Sequence, residues 1–276
     1  MSNVPMIELH NGVKIPQLGL GVYKVPADEA YDNVKTALEL GYRHIDTASF
    51  YENEEGVGAA IRDSGIPREE IFVTTKVWND QQGYEKTLAA FEESFEKLGL
   101  DYIDLYLVHW PMPDTFVETW KALEHLYEQG RVKAIGVSNF LEHHLQELFD
   151  NAKYKPVVNQ IELHPKLMQK STVDFCKAHD IVIESWSPIG RAQYLDDPTI
   201  TKIAQEHGKS PAQIMIRWHV QHGFVVIPKS LRRERQLENI SVFDFELSQE
   251  EMELIDRLDE GYRIGTHPDE IANRTF

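Results

Sequence analysis

The chain has 276 residues, and its content of 42% hydrophobic and 26% charged residues is that of an ordinary soluble globular protein with a sizeable core. Its formal net charge of −17 repels nucleic-acid phosphates and anionic lipid, so we expect neither a nucleic-acid partner nor a membrane partner. The N-terminal region lacks the pattern of a signal peptide and no run approaches the ~18 apolar residues of a membrane span, which together predict a cytoplasmic protein.

The first predicted element is a β-hairpin near the N-terminus. Asn11-Gly12 lies between two short alternating runs, and this dipeptide is typical of a two-residue hairpin turn. We expect the hairpin to cover the floor of the structure that the following strands build.

Eight short apolar runs of β-rich composition follow, and a stretch with helical spacing comes after nearly every one. They are residues 17–21, 43–46, 71–76, 102–109, 132–138, 157–162, 181–185 and 224–230. Strand-helix alternation with continuously apolar strands indicates a parallel sheet. Eight units without a flexible linker predict an α/β fold, a closed (β/α)8 TIM barrel that forms a single domain over residues 1–276. Residues 232–240 and 248–261 predict extra C-terminal helices, and residues 262–276 predict an irregular tail.

An open doubly wound sheet is the main alternative to the barrel. Its usual nucleotide-binding pattern, a glycine-rich turn directly between a strand and a helix, is missing. The segment "GVGAAI" at residues 56–61 matches that pattern in part. It falls inside a helical stretch, however, and we interpret it as helix surface.

Polar residues stand at the C-terminal ends of three successive predicted strands. Asp46 ends the second strand, Lys76 the third and His109 the fourth, and Tyr51 lies in the loop after the second. In a (β/α)8 barrel these ends meet at one mouth, where active sites are built. Taken singly, each residue has a structural explanation. Asp46 could cap a helix and Lys76 could be solvated. His109 could be a core histidine and Tyr51 an interfacial aromatic residue. Their coincidence at consecutive strand ends favours a shared site.

The sequence resembles the aldo-keto reductases over nearly its whole length. The resemblance rests on an ordered series of motifs, "LGLGVYK", "GYRHIDTASFYENE", "TTKVWN", "LYLVHWP", "KAIGVSNF", "NQIELHP" and "IPKSLRRERQLEN". It is strongest to short bacterial members that reduce diketo-gluconates, glyoxals and small aldehydes. It implies a barrel enzyme that uses NADPH to reduce aldehydes and ketones, including small carbonyls, dicarbonyls or keto sugars, to alcohols.

The resemblance implies a catalytic tetrad of Asp46, Tyr51, Lys76 and His109. A free phenol is a poor acid near neutrality because its pKa is ~10, and a nearby ammonium can lower that value by ~1–3 units. Lys76 would supply this charge, and Asp46 would keep Lys76 ionised. Tyr51 would then donate a proton to the carbonyl oxygen, which His109 would bind and orient.

The resemblance also implies where the cofactor binds. Ser138, Asn139 and Gln160 match residues that hold the nicotinamide carboxamide, although a helix cap is an alternative for the first two. Trp186 stands where an aromatic side chain stacks on the nicotinamide ring. The other cofactor residues that it implies are Gly21, Val22, Ser187, Pro188, Ile189, Gly190, Lys229, Ser230, Arg232, Arg235, Glu238 and Asn239.

A basic segment at residues 227–239 stands out in this acidic chain. Lys229, Ser230 and Arg235, together with the amides of a helix N-terminus, would bind the 2′-phosphate of NADPH, and Arg232 would assist them. Arg233 is as easily explained as a solvated residue. The alternative for the whole segment is a plain solvated helix face.

The predicted substrate pocket is lined by Tyr23, Trp78 and Trp110 beside His109, again by resemblance. Core packing is the alternative for the aromatic residues, above all for Trp110. The loop at residues 109–120 is short compared with that of vertebrate relatives. We therefore expect an open pocket that admits varied small carbonyl substrates.

Neither the single cysteine nor a pair of adjacent histidines predicts a further site. Cys176 lies at helical spacing from apolar neighbours, so we interpret it as buried filler rather than a nucleophile. His143 and His144 begin a helix and match no metal-ligand spacing. We interpret them as surface residues and expect no metal.

Two other functions stay open on the sequence alone. A barrel aldolase would use Lys76 as a Schiff-base amine, which requires a neutral lysine, whereas a carboxylate neighbour keeps lysine charged. A non-catalytic nicotinamide-binding sensor or interaction barrel would be free to lose one of the tetrad residues, and none is lost. We expect the protein to be a monomer.

Overall fold

The computed structural model describes residues 4–274, which begin with the predicted hairpin. Strands β1 (Met6–Glu8) and β2 (Lys14–Pro16) pair antiparallel. The turn runs through residues 10–12, since the Gly12 N–H donates to Leu9 O (2.8 Å) and the Leu9 N–H to Val13 O (2.8 Å). The hairpin is confirmed, but its loop has three residues rather than two, because Gly12 takes a left-handed φ of 85° at the bulge position.

Within residues 4–274, eight parallel strands form the wall of a barrel, in the order β3 to β10 around the sheet. They are β3 (Leu20–Gly21), β4 (His44–Asp46), β5 (Phe72–Val77), β6 (Ile103–Val108), β7 (Val132–Ser138), β8 (Val158–Glu162), β9 (Val182–Trp186) and β10 (Val225–Val226). Hydrogen bonds from Gly19 N–H to Val226 O (2.9 Å) and from Val226 N–H to Gln17 O (2.9 Å) join the residues just before β3 to β10 and close the barrel. The predicted (β/α)8 fold is therefore confirmed.

Ten α-helices of the described residues surround the barrel or follow its last strand. They are α1 (Ala27–Glu39), α2 (Glu54–Asp63), α3 (Tyr84–Leu98), α4 (Phe116–Glu128), α5 (Glu142–Asn151), α6 (Lys170–Ala178), α7 (Pro198–His207), α8 (Pro211–Gln221), α9 (Arg233–Ile240) and α10 (Gln249–Asp256). Helices α9 and α10 are the predicted extra helices. Between residues 4 and 274, no helix combines the length and apolar composition that crossing a bilayer requires.

The C-terminal tail is more regular than the sequence predicts. A 3-10 helix spans Pro268–Asn273, and the side chain of His267 accepts a hydrogen bond from the Asp269 N–H (3.3 Å) at its start. Proline at the first position fits a helix start because its missing N–H would have no partner there. The irregular-tail prediction is therefore wrong for this part of the tail.

The interpretation of "GVGAAI" as helix surface is also wrong. The segment lies in α2, but Val57, Ala60 and Ile61 are buried, and a Cβ at Gly58 would collide with the Leu98 backbone oxygen at the end of α3. The glycine lets α2 and α3 approach closely, which is a packing reason for a residue that weakens helices.

The hairpin and the barrel floor share one apolar cluster. Leu9 and Ile15 of the hairpin region pack with Phe72, Val158 and Val225, which lie at the N-terminal ends of barrel strands. Because the floor is closed by side chains, access to the barrel is from the opposite, C-terminal ends of the strands. A separate cluster packs the helices on the barrel wall and contains Cys176, where burial raises the thiol pKa to about 12. The buried-filler interpretation of this cysteine is thus confirmed.

Candidate active site

The C-terminal ends of the strands surround a cavity of about 640 Å³. Most of the residues singled out in the sequence line it, namely Gly21, Tyr23, Asp46, Tyr51, Trp78, His109, Trp110, Ser138, Asn139, Gln160, Trp186, Ser187, Pro188, Ile189, Lys229, Ser230, Arg232 and Arg235. One cavity is therefore lined by three of the four predicted catalytic residues and by most of the predicted cofactor residues.

Lys76 is the centre of the polar cluster at one end of this cavity. Its side chain has no exposed surface, and its Nζ donates to Asp46 Oδ1 (2.7 Å), to the backbone oxygen of Thr47 (2.8 Å) and to Tyr51 Oη (3.2 Å). An ammonium has three N–H groups, so all of them have an acceptor here. The lysine is thus held as a charged donor beside the phenol.

The position of Tyr51 follows from a short turn between β4 and α2. A 3-10 turn spans Ser49–Tyr51, and the Tyr51 N–H donates to Ala48 O (3.0 Å). The hydroxyl of Ser49 donates to the backbone oxygen of Lys76 (3.1 Å) and ties this turn to β5. The turn therefore brings the phenol to the lysine of the neighbouring strand.

Burial and the neighbouring charges together set the pKa values of the Tyr51 phenol and the Lys76 ammonium. Burial lowers the pKa of Lys76, but the charge of Asp46 and the contact with Tyr51 outweigh it, so the net pKa is raised. Burial raises the pKa of Tyr51 to about 12, although Lys76 acts in the opposite direction. The expectation that Lys76 brings the Tyr51 pKa below its usual value is therefore wrong. Tyr51 keeps its proton at neutral pH, as a proton donor must.

His109 stands beside the phenol as a neutral imidazole. Burial, and then the charge of Lys76, lower the pKa of His109 well below 6.5. Its ring meets those of Trp78 and Tyr51 edge to face, with centroid distances of 4.9 and 5.8 Å. Its Nδ1 atom is buried and has no hydrogen-bond partner among residues 4–274, so the alternative of a satisfied core histidine does not hold.

Aromatic rings form the wall next to this polar cluster. Trp78 stacks on Phe50 at a centroid distance of 3.8 Å, and Tyr23 tilts against Tyr51 at 5.1 Å. Trp110 is only 8% exposed, but it also lines the same cavity. It is therefore both a packed residue and part of the cavity wall. Phe50 was missed in the sequence, where its position next to Tyr51 was the available signal.

A set of amide and hydroxyl groups lies at the ends of β7 and β8. Ser138 Oγ donates to the backbone oxygen of Gln160 (2.8 Å), and Asn139 Nδ2 donates to His109 O (3.0 Å) and to Ser138 Oγ (3.1 Å). The following helix has Leu141 at its N-cap position, so Ser138 and Asn139 do not cap it. They are polar residues held at the cavity surface by neighbouring strands.

Basic side chains line the other end of the cavity. Lys229, Arg232 and Arg235 face it, and among residues 4–274 none of them has a carboxylate within ion-pair distance. Arg233 instead lies near Glu39 on α1, with 3.4 Å between Nη1 and Oε2, and is exposed. The three cavity cations are therefore available to an anion, whereas Arg233 is not directed to the cavity.

Two buried amide side chains hold the backbone of the loop that carries these cations. The backbone oxygen of Ser230 accepts hydrogen bonds from Asn33 Nδ2 (2.7 Å) and Gln236 Nε2 (3.0 Å). Neither buried amide was singled out in the sequence, because only the fold brings α1 and α9 to the same loop.

Four predicted cofactor residues and one predicted catalytic residue do not line the cavity, namely Val22, Gly190, Glu238, Asn239 and Lys76. Lys76 is fully buried and acts through its hydrogen bond to the Tyr51 hydroxyl. Val22 and Gly190 are buried next to lining residues. Glu238 accepts a hydrogen bond from the Ser210 hydroxyl, and Asn239 is 5% exposed. Direct cofactor contact by these four residues stays a prediction.

The C-terminal tail supplies cavity residues that the sequence did not predict, Ile264, Gly265, Thr266 and Arg274. Glu162, at the end of β8, anchors the first two of them, since its carboxylate accepts the N–H groups of Ile264 (2.7 Å) and Gly265 (2.8 Å). The tail also packs against Trp186, whose Nε1 donates to Asn139 Oδ1 (2.8 Å). Other lining residues that were missed are Lys24, Phe50, Arg191, Ala192, Ile227 and Leu231.

We expect Gly265→Ala to disturb this anchored tail. A Cβ at this position would lie 2.5 Å from Trp186 Cη2 and 2.8 Å from Glu162 Oε2, so one of the neighbours must move. The expected result is a loss of about 1–3 kcal/mol in the free energy of unfolding and a changed tryptophan emission, measured by thermal unfolding and emission spectra. Thr266→Ala, in the same segment, is the matched control, and equal behaviour of the two variants would contradict the prediction.

The prediction that both adjacent histidines are surface residues is wrong for His144, which is 9% exposed. Nε2 of His143 (2.8 Å) and of His144 (3.3 Å) both lie near Asp269 Oδ1, a grouping of metal-ligating types. The Leu141 N–H, however, donates to His144 Nδ1 (3.1 Å), and burial lowers the pKa of this histidine to about 4. The proton of the neutral ring is therefore on Nε2, which suits a carboxylate acceptor and not a cation.

Comparison with known proteins defines the class of this barrel. Residues 16–260 match the sequence model of the aldo/keto reductase family, and the chain belongs to that family of oxidoreductases. It is 56% identical to a glyoxal reductase of Bacillus subtilis over 266 residues, 96% of each chain. It is 57% identical to a 9,11-endoperoxide prostaglandin H2 reductase of Trypanosoma cruzi over 271 residues, 97% of this chain and 96% of the relative. A crystal structure of a Gox0644 mutant in complex with NADPH superposes with a TM-score of 0.93 at 48% identity, covering 97% of this chain and 98% of that one.

Proposed function

We propose that this chain reduces aldehydes and ketones to alcohols with NADPH, with Tyr51 as the proton donor. One observation carries the proposal, namely the buried Lys76 ammonium that donates to the Tyr51 hydroxyl at the edge of a cavity shared with a neutral His109. The identity to reductases and the NADPH complex of a structural relative support it.

The residues present fit the cofactor. The cavity has uncompensated cations at one end, where a phosphate would bind, and amide groups beside Tyr51 at the other, where a carboxamide would bind. Ser138, Asn139 and Gln160 would hold the carboxamide, and Trp186 would cover one face of the ring. The bound cofactor would supply a hydride to the carbonyl carbon.

The side chains of this protein would bind and protonate the carbonyl oxygen. The neutral His109 can donate a hydrogen bond to that oxygen and fix its position between the imidazole and Tyr51. Tyr51 passes its proton to the oxygen as negative charge develops there. The phenolate that results is stabilised by the ammonium of Lys76, 3.2 Å away. No metal ion is required for these steps.

For the substrate we propose small aldehydes and dicarbonyls, with keto sugars and larger carbonyls as further candidates. The aromatic wall of Phe50, Trp78 and Trp110 suits a compact, partly apolar substrate, and the name of one relative is glyoxal reductase. We propose the single chain as the active unit, because one chain supplies the catalytic, amide and basic residues that the proposed reaction uses. We also propose that it works in the cytoplasm.

A screen of NADPH oxidation with methylglyoxal, phenylglyoxal and a nitrobenzaldehyde tests the proposal. Turnover with at least one of them is the expected result. Absence of turnover with tight NADPH binding would favour the non-catalytic sensor. Borohydride trapping of a substrate on Lys76 would favour the aldolase, which the charged state of this lysine opposes.

Replacing Arg235 with alanine should weaken NADPH binding roughly ten- to a hundredfold. The change removes a charge-assisted contact to the 2′-phosphate, and such a contact contributes ~1.5–3 kcal/mol. NADH lacks this phosphate, so its dissociation constant should change little, and the wild-type protein should strongly prefer NADPH. Arg233→Ala is the control, because that side chain is near Glu39. Equal use of both cofactors by the wild type, or equal losses for both in Arg235→Ala, would contradict the site.

A further inference from the structure

A carboxyl group that the proposed reaction does not use lies inside the barrel. Glu184, on β9, has no exposed surface, and its Oε2 accepts a hydrogen bond from Gln160 Nε2 (2.9 Å). Its Oε1 lies 3.3 Å from Nε2 of His44, a fully buried residue of β4. If neither Glu184 Oε1 nor His44 Nε2 carries a proton, both atoms lack a hydrogen-bond partner among residues 4–274. Buried polar atoms are rarely left in that condition.

The hydrogen bonds of His44 locate the missing proton. His44 Nδ1 lies 3.3 Å from the backbone oxygen of Pro16, which can only accept, so Nδ1 carries the ring proton. Burial lowers the pKa of His44 to about 3, and its Nε2 is therefore a neutral acceptor. A proton on Glu184 Oε1 provides both atoms with a partner. Burial, and then the charge of Asp46, raise the pKa of Glu184 to about 8, in agreement with this placement.

Gln160 connects Glu184 to the polar cluster of the cavity. Its Nε2 donates one hydrogen to Asp46 Oδ2 (2.7 Å) and the other to Glu184 Oε2 (2.9 Å). Both N–H groups of the Gln160 amide are thereby used, and Gln160 Oε1 has no hydrogen-bond partner among the described residues. If the Gln160 amide were rotated by half a turn, Gln160 Oε1 would face the carboxyl oxygens of Asp46 and Glu184 and could not accept a hydrogen bond from them. The two carboxyl groups therefore fix which end of the amide is available at the cavity.

We propose that Glu184 is a positioning residue that acts as a neutral carboxylic acid, bonded to His44, and orients Gln160 so that its Oε1 accepts the N–H of the nicotinamide carboxamide. This inference rests on the proposed function for its ligand, but the protonation of Glu184 does not.

The neutral state of Glu184 also matters for the charges around it. His44 and Asp46 face it from β4 and Lys76 from β5. With Glu184 protonated, Asp46 is the carboxylate that balances the Lys76 ammonium. An ionised Glu184 would add a second negative charge near the phenol and oppose the formation of phenolate on Tyr51.

The first test measures cofactor recognition by fluorescence titration with NADP⁺ and with its 3-acetylpyridine analogue, which lacks the carboxamide N–H. Wild-type protein should prefer NADP⁺ by about three- to tenfold, the range of one hydrogen bond. Glu184→Gln supplies an oxygen to Gln160 and an N–H to His44, so it should keep this preference. Glu184→Met supplies neither, and the preference should shrink. An unchanged preference in Glu184→Met would overturn the positioning role.

The second test measures protonation without any cofactor, from the unfolding temperature between pH 5 and pH 9. Because the folded-state pKa of Glu184 is raised, its contribution to stability is present below the unfolded pKa of ~4.3 and is lost as pH rises through about 8. The unfolding temperature of wild type relative to Glu184→Gln should therefore fall with rising pH up to about 8. An infrared difference spectrum at pH 6 should also show a protonated carboxyl band in wild type that Glu184→Gln lacks.

These outcomes separate the two proposals. A constant difference in unfolding temperature, without the infrared band, would overturn the protonated Glu184 even in an active reductase. A wild-type protein without carbonyl turnover but with the band and the pH trend would contradict the proposed function and retain the Glu184–His44 pair.

Discussion

Tyr51→Phe should lower the turnover of carbonyl reduction by about 10²–10⁴-fold, the usual size of a general-acid contribution. The variant loses only the hydroxyl, which is the group that Lys76 contacts at 3.2 Å. Cofactor affinity should stay almost unchanged, because the hydroxyl acts on the substrate oxygen and the ring contacts with Tyr23 and His109 survive. Steady-state rates of NADPH oxidation and a fluorescence titration measure the two quantities.

A neighbouring phenol provides the control for this experiment. Tyr23 lines the same cavity and packs against Tyr51, but its hydroxyl has no contact with Lys76. Tyr23→Phe should therefore retain most of the turnover. A Tyr51→Phe protein that keeps more than about a tenth of the wild-type rate would rule out the proton-donor role.

The period of the apolar runs was sufficient to predict the barrel and a shared polar site at its mouth, whereas the catalytic tetrad was implied by the resemblance to the aldo-keto reductases. Parallel strands are continuously apolar and the residues after them are polar, so Asp46, Lys76 and His109 could be placed at one mouth before any contact was known. The errors in the fold are local. The loop conformation of Gly12 and the close approach at Gly58 depend on backbone geometry that composition does not specify.

Apart from Phe50, which is next to Tyr51 in the chain, the main parts of the site that sequence reasoning missed depend on contacts between distant segments. The bond from Gln160 to Asp46 joins residues 114 positions apart, and the bond from Glu162 to the tail at Gly265 spans 103 positions. The direction of the Tyr51 pKa was also missed, because it is decided by the competition between burial and the charge of Lys76. A sequence shows that a charge is present, but not how much solvent has been removed around it.

The role of Lys76 leads to the second large effect. Lys76→Met should lower turnover by about 10²-fold or more, since the phenolate that Tyr51 leaves would lose its ammonium partner. Asp46→Asn should lose less, about tenfold, because the ammonium keeps its contacts with Tyr51 and the Thr47 oxygen. The aspartate acts one step further from the substrate. An aspartate variant far more damaged in turnover than the lysine variant would reverse this ordering.

Stability must be separated from catalysis in this comparison, because Lys76 and Asp46 form a buried ion pair at 2.7 Å. Removing only the lysine leaves a buried carboxylate without its counter-ion, a change that typically costs about 3–5 kcal/mol. The double variant Lys76→Met/Asp46→Asn removes both charges, so its unfolding temperature should recover relative to Lys76→Met while its turnover stays low. If turnover recovered together with stability, Lys76 would be a structural residue, and the electrostatic support of Tyr51 would have to come from elsewhere in the cavity.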